Sequence, residues 1–185
     1  MFGVAMTLLV IDIRLPEDFK PSSAAALLEA ILDLKSKFLV YVITFFVVGL
    51  RWLGTTRLGA GRETVSGQFA LWTLLHLFLI TCMPFSTMMV GRYDAFPPAV
   101  WIYAANMILG ALVAMQLIAI AAQDSGRKVE PGDGVATLWL LIASALLSIV
   151  VSFYNPGLAM LAYLLNIART WIAPQAKDDL PHAKP

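Results

Sequence analysis

The chain contains few charged residues and few side chains that carry chemistry. Of its 185 residues, 14% are charged, and the formal net charge is +1. Because it has neither a strong basic field nor a run of basic residues, the sequence argues against a nucleic-acid partner. Its single cysteine, Cys82, has no histidine or cysteine at metal-ligand spacing. We therefore expect no resident metal and no cofactor.

Catalytic motifs are also missing from the sequence. It contains no His-Glu-x-x-His motif, no phosphate-binding loop and no Ser, His and Asp set in plausible register. These absences predict that the protein is not an enzyme.

Long apolar segments are what the sequence does contain. Hydrophobic residues make up 59% of the chain, whereas soluble proteins are roughly half apolar. A membrane-spanning helix needs about 20 residues, because the hydrocarbon core is ~30 Å thick and each residue rises 1.5 Å. Four segments meet this length, or nearly so: 34–53, 69–90, 99–122 and 135–154. Two shorter apolar segments cover about 1–14 and 158–172.

These segments predict an all-α integral membrane protein, a six-transmembrane-helix bundle with a shortened first helix. We expect one transmembrane domain over residues 1–174 and a flexible polar tail over 175–185. Between the first two spans, Ser22 or Ser23 is positioned to cap an amphipathic helix at the membrane interface.

The placement of lysine and arginine predicts that both termini are cytoplasmic. With six spans, the inside segments carry eight basic residues and the outside segments carry five, and positive charge favours the cytoplasmic side. The eight are Arg51, Arg57, Arg62, Arg127, Lys128, Arg169, Lys177 and Lys184. The five are Arg14, Lys20, Lys35, Lys37 and Arg92.

The opening apolar segment is best explained as a partial membrane span. No basic residue precedes it and no small-residue cleavage site follows it, so a cleaved signal sequence does not fit. On a helix, one stripe is formed by residues at i, i+3, i+4 and i+7, namely Val4, Thr7, Leu8 and Ile11. By pattern alone, such a stripe is more often a surface against lipid or a neighbouring helix than the lining of a pore.

Three sequence blocks carry a resemblance to a known family. "GVAMTLLVIDIRLP", followed by "LVYVITFFVVGLRWLGTTR" and then "MPFSTMMVGRY", resembles the bacterial members of the transmembrane protein 175 family of potassium channels. The family's signature at the cytoplasmic start of the first helix is Arg, three variable residues and Phe-Ser-Asp. This chain opens where that motif should already have passed.

The resemblance implies a potassium-permeable cation channel in the bacterial plasma membrane. In that family, six-span subunits assemble as homotetramers, and the first helix of each subunit lines the pore. The residues carried over by position are a hydrophobic constriction of Val4, Leu8 and Ile11, with a pore hydroxyl on Thr7. In such a pore, Asp12 lies one residue beyond the stripe and would place a carboxylate at the outer mouth. Potassium ions and the lipid bilayer are then the partners. A small secondary transporter and a non-conducting membrane scaffold are the alternative functions.

Overall fold

The computed structural model describes residues 2–15, 18–59, 66–126, 128–129 and 134–167. Within these residues the chain forms seven α-helices and a 3₁₀ helix. The α-helices are α1 (Phe2–Ile11), α2 (Ala24–Asp33), α3 (Lys35–Gly59), α4 (Gly67–Thr81), α5 (Met83–Arg92), α6 (Pro97–Asp124) and α7 (Val135–Ser152). The 3₁₀ helix, Pro156–Tyr163, continues to Ile167, and we call this whole segment the C-terminal helix.

Four stretches of helix are long and apolar enough to cross a membrane. They are Lys35–Thr56, Gly67–Arg92, Pro97–Asp124 and Val135–Ser152. Two shorter apolar helices, α1 and the C-terminal helix, stand at either end of the described chain. The described part of the chain is therefore all-helical, and its long apolar helices are those of a multi-pass membrane protein.

The second of these stretches consists of two helices that meet at Cys82. Pro84, in the first turn of α5, has no N–H to donate to the carbonyl of Ile80. The Thr81 hydroxyl donates to the carbonyl of Phe78 at 2.7 Å, next to the break. The sequence pattern predicts one uninterrupted span over 69–90, because its apolar content continues through the proline.

The last apolar segment also differs from the expected α-helix. From Pro156 to Tyr163 it is a 3₁₀ helix, which is tighter than an α-helix and is used mostly in short pieces. The end of the predicted span at 172, and the predicted tail over 175–185, lie outside the described residues.

The short helix α2 precedes the first long span and has no buried residue. Its cap is Ser23, whose hydroxyl oxygen accepts a hydrogen bond from the backbone N–H of Ala26 at 3.1 Å. One of the two predicted capping serines therefore begins this helix. The leucines and the isoleucine of α2 are exposed, as expected for a helix at a membrane interface.

Helix α6 is the centre of the bundle. It packs against α7 and the C-terminal helix, and also against α3, α4 and α5. Its Tyr103 meets Tyr163 of the C-terminal helix edge to face, with ring centroids 5.2 Å apart, and both side chains are completely buried. Such aromatic pairs add to the free energy gained by burial.

Contacts between helices give their relative directions. Thr44 of α3 bonds to Tyr103 of α6, and Arg51, seven residues further along α3, lies against Gly110, seven residues further along α6. The helices α3 and α6 are therefore parallel. Thr44 also contacts Thr87 of α5, whereas the later residue Arg51 contacts the earlier residue His76 of α4. The α4 and α5 span is therefore antiparallel to α3.

Helix α1 runs parallel to the α4 and α5 span. Its first residue, Phe2, stacks on His76 of α4, and Asp12, just after α1, pairs with Arg92 at the end of α5. Ten residues at 1.5 Å per residue give α1 a length of about 15 Å, which is half of a ~30 Å hydrocarbon core. It therefore lies beside only the half of this span that ends at Arg92.

Candidate pore face and buried polar site

Helix α1 has one face turned into the bundle and one turned out of it. Phe2, Ala5 and Leu9 are between 3% and 8% exposed and pack against α3, α4 and α5. On the other side of the helix, Val4 is 61% exposed, and Leu8 and Ile11 are 46% and 60% exposed. The structure thus places the three predicted constriction residues together, on a surface that the described residues leave exposed.

Thr7 lies on the same outward face of α1. Its hydroxyl donates to the carbonyl of Val4 at 2.8 Å, within the helix. The hydroxyl proton is thereby used, while the oxygen lone pairs remain available as acceptors. The side chain is exposed and is able to present oxygen to a cation.

Asp12 is held in an ion pair. Its Oδ1 accepts from Nη2 of Arg92 at 2.6 Å and from Nε at 3.0 Å. The Asp12 side chain is 19% exposed and the Arg92 side chain 40%. The residue predicted at the outer mouth is therefore largely neutralised by Arg92, and the pair connects the end of α1 to the end of α5.

A second polar site, inside the bundle, was not predicted from the sequence. Arg51 is counted above among the basic residues of the cytoplasmic segments, but the structure buries its side chain to 8% exposure. One guanidinium nitrogen, Nη2, lies 3.4 Å from Nδ1 of His76, which is 1% exposed. The guanidinium rests on Gly110, where an added Cβ would lie 2.5 Å from Nη1. Two features of the sequence could have indicated this site: Arg51 lies within a long apolar helix, and Gly110 in another apolar helix leaves room for a large side chain.

The contact with Arg51 selects the tautomer of a neutral His76 ring. A guanidinium carries only donors, so Nδ1 must accept, and the proton of the neutral ring is then on Nε2. The ring also supports Phe2, with centroids 5.8 Å apart, which connects the buried site to the beginning of α1.

A third group of buried polar side chains joins α3, α5 and α6. Thr44 bonds to Tyr103 at 2.9 Å and lies 3.4 Å from the Thr87 hydroxyl, while Asn106 donates to Ser86 at 3.3 Å. Buried hydroxyl and amide groups that bond across helices are typical of membrane-helix packing. We assign this cluster to the scaffold of the bundle.

None of these three polar groups has the composition of a metal centre. Within the part of the chain that the structure describes, no group of three histidine, cysteine, aspartate or glutamate side chains is placed to hold a metal ion. The fold and these sites define the class: a multi-pass helical membrane protein whose first helix leaves an apolar face uncovered.

Comparison with known proteins then shows what the chain is similar to. The sequence model of the endosomal/lysosomal potassium channel TMEM175 matches residues 1–84. A potassium channel of a Chryseobacterium species is 26% identical over 181 residues, which cover 96% of this chain and 90% of the relative. A potassium channel of Chamaesiphon minutus is 24% identical over 177 residues, covering 94% and 82%.

The fold is shared with a solved structure. This is the crystal structure of a lysosomal potassium-selective channel TMEM175 homolog from Chamaesiphon minutus, with a TM-score of 0.76 and 24% identity over 92% of this chain and 90% of that one. The match to the family model and the two bacterial relatives confirm the resemblance to the transmembrane protein 175 family that the three sequence blocks indicate. That family is one of channels and not of enzymes.

Proposed function

We propose that this chain is the subunit of a potassium-permeable channel whose conduction path is lined by the α1 helices of four copies. The relatives from Chryseobacterium and Chamaesiphon are both named potassium channels. The observation that carries the proposal is the division of α1 into two faces. One face is buried in the bundle, and the other presents Val4, Leu8 and Ile11 outside it.

The proposed gate is a hydrophobic constriction. Four copies of an apolar stripe around a narrow axis exclude water, and an ion that must shed its hydration shell there meets a barrier. When the ring widens, water returns and the barrier falls. Opening is then a change in the distance between the α1 helices and the axis.

Polar groups at two levels act on the cation. The Thr7 hydroxyl donates to its own helix, so a ring of four such oxygens replaces part of the hydration shell of potassium. At the outer mouth, Asp12 attracts cations only weakly while it is paired with Arg92. Selectivity therefore depends on the constriction and on Thr7 more than on charge at the mouth.

The proposed topology has six crossing segments in one domain over residues 1–174, with a shortened first helix and a tail over 175–185. Contacts support alternating directions: α1 is parallel to the α4 and α5 span, and α3 is parallel to α6. With six alternating segments, both termini lie on the cytoplasmic side of a bacterial plasma membrane. Since one lining helix cannot enclose a pore, several copies are required, and we propose a homotetramer.

The test is potassium flux into liposomes that contain the purified protein. The wild-type protein should give voltage-driven flux with single-channel steps, and Val4→Ala should raise it several-fold because the ring becomes wider. Val10→Ala is the matched control. Val10 is 48% exposed but lies about 100° around the helix from Ile11, so its truncation should leave the flux unchanged.

Other outcomes would decide against the channel. Saturable flux without single-channel steps would indicate a secondary transporter. An intact, oligomeric protein without flux would indicate a scaffold. Equal effects of Val4→Ala and Val10→Ala would remove the outward face of α1 from the conduction path.

A further inference from the structure

Two contacts hold the end of α5 against the start of α3. The hydroxyl of Ser36, in the first turn of α3, donates to Oδ2 of Asp94 at 2.7 Å, and the bond is partly buried. Near the end of α5, an added Cβ on Gly91 would lie 3.6 Å from Cγ and 3.8 Å from Cα of Lys37. The backbone of α5 therefore passes close to α3, and Asp94 bonds to α3 just beyond that approach.

The bond to Asp94 is the directional one of these two contacts. Packing against a glycine backbone is non-directional, whereas a hydrogen bond has a narrow range of distances and angles. A hydroxyl that donates to a carboxylate also forms a stronger bond than one between neutral groups. Asp94 is thus suited to fix the end of α5 in one place on α3.

This attachment carries over to Arg92, which precedes Asp94 closely in the chain. Consecutive Cα atoms are about 3.8 Å apart, so the backbone of Arg92 stays within about 7 Å of the place where Asp94 is held. Arg92 in turn donates to Oδ1 of Asp12 from Nη2 at 2.6 Å and from Nε at 3.0 Å. The end of α1 is therefore connected to the start of α3 through the last residues of α5 and Asp94.

Helix α1 has little else with which to form directional contacts. Between Phe2 and Ile11 its polar side chain is Thr7, whose hydroxyl donates within the same helix. The other side chains of α1 are apolar, and apolar packing on its own permits small rotations and shifts of a helix. The ion pair of Asp12 with Arg92 supplies the directional contact that such packing lacks.

We propose that Asp94 is a positioning residue of the channel. By bonding to Ser36 it holds Arg92 where the guanidinium meets Asp12, and this fixes the rotation and the depth of α1 with its outward face. Asp94 itself lies between α5 and α6, so it acts through α1 and not on the ion. This role rests on the proposed function, because the position of α1 affects conduction only if α1 lines the path.

The first measurement is hydrogen exchange of the α1 amides in the purified protein, read by mass spectrometry. Asp94→Ala removes the acceptor, and the amides in the last turn of α1 should exchange about tenfold faster, because a bond to a charged group no longer holds that end. Asp94→Asn keeps an acceptor oxygen for Ser36 and should retain most of the protection. If Asp94→Ala does not fold, Ser36→Ala removes the same bond from its donor.

A second background separates positioning of α1 from a local role. In Asp12→Asn the ion pair is already lost, so adding Asp94→Ala should not raise the exchange of the α1 amides further. Equal increases in both backgrounds would overturn the proposal. Faster exchange at the start of α3, with no change in α1, would overturn it as well.

Asp124→Ala is the matched control. The Asp124 carboxylate also accepts from a serine hydroxyl, that of Ser66 at 2.9 Å, and this bond joins the end of α6 to the start of α4 at the opposite end of the bundle. Its loss should leave exchange at the end of α1 unchanged. An effect on α1 as large as that of Asp94→Ala would indicate general loosening of the bundle and would contradict the proposal.

Single-channel recording then connects the position of α1 to conduction. Asp94→Ala should spread the current over several levels, none above that of the wild type, because the four α1 helices no longer share one position. Asp94→Asn should restore one level. A wild-type protein that does not conduct would contradict the proposed function and leave the exchange result intact. Unchanged exchange in a conducting protein would contradict only the role of Asp94.

Discussion

Gly110 determines how far the Arg51 guanidinium can enter between α3 and α6. A Cβ at this position would lie 2.5 Å from Nη1, 2.6 Å from Nη2 and 2.9 Å from Cζ. Real Cβ contacts are longer, so the guanidinium must move. It cannot move without changing its 3.4 Å contact with His76. An alanine at this position would therefore force the buried guanidinium to shift.

Gly110→Ala should lower the stability of the protein. Displacing a buried, hydrogen-bonded polar group costs about 1–3 kcal/mol, which corresponds to a fall of roughly 2–4 °C in unfolding temperature for each kcal/mol at this chain length. The measurement is thermal unfolding in detergent. Gly54→Ala is the control, since an added Cβ on Gly54 meets nothing within 4 Å and alanine favours the helix. An equal loss in both variants would contradict this role for Gly110.

At the scale of helices, the sequence predicts which segments are apolar better than it predicts how each one ends or breaks. The stripe residues Val4, Leu8 and Ile11 lie on one exposed face of α1, because the spacing of apolar residues along a helix is a local property. The break at Cys82 is local as well, and Pro84 is its visible cause. Apolar content alone does not register the break, since Cys82 and Met83 continue the hydrophobic run.

The polar contacts of the candidate sites could not be predicted in the same way. Asp12 and Arg92 are 80 residues apart in the sequence, and their pairing depends on α1 lying parallel to α5. Arg51 near the end of a span is equally consistent with reaching to the interface, where long side chains often place their charge. Only the register of α3 against α4 and α6 shows that it turns inward.

The Asp12 and Arg92 ion pair connects the end of α1 to the end of α5. Because it also neutralises the Asp12 carboxylate, it predicts that potassium conductance depends on ionic strength. Arg92→Gln frees the carboxylate, so potassium conductance at low ionic strength should rise above that of the wild-type channel. The increase should fade in 1 M salt, where the Debye length is only about 3 Å. Single-channel recording at several salt concentrations measures both effects.

The double variant Asp12→Asn with Arg92→Gln is the control for this prediction. It also lacks the ion pair, so α1 is released from α5 to the same degree, but it carries no free carboxylate. Its conductance at low salt should not exceed that of the wild type. If single and double variants conduct equally well, release of α1 and not charge at the mouth is the cause.

At the scale of the whole molecule, two arrangements differ in what contacts the exposed face of α1. In one the face meets other copies of the chain, and in the other it meets only lipid. Other exposed leucines of the bundle, such as Leu71 on α4, lie on surfaces for which lipid is a sufficient neighbour. If α1 lines a shared axis, Leu8 of one copy lies near Leu8 of the next, whereas the Leu71 side chains lie far apart. Proximity between copies at these two positions is therefore the measurable difference.

Cysteine cross-linking of these two leucines tests the arrangement in a Cys82→Ala background, which removes the native thiol. Disulfides form only when the Cα atoms approach within about 7 Å, so oxidation of Leu8→Cys should give a dimer band on a non-reducing gel, while Leu71→Cys should remain monomeric. Native mass spectrometry of the unmodified protein should give four times the chain mass of 20.2 kDa. A monomer mass, or cross-linking at Leu71→Cys in preference to Leu8→Cys, would mean that the apolar face of α1 is turned toward lipid.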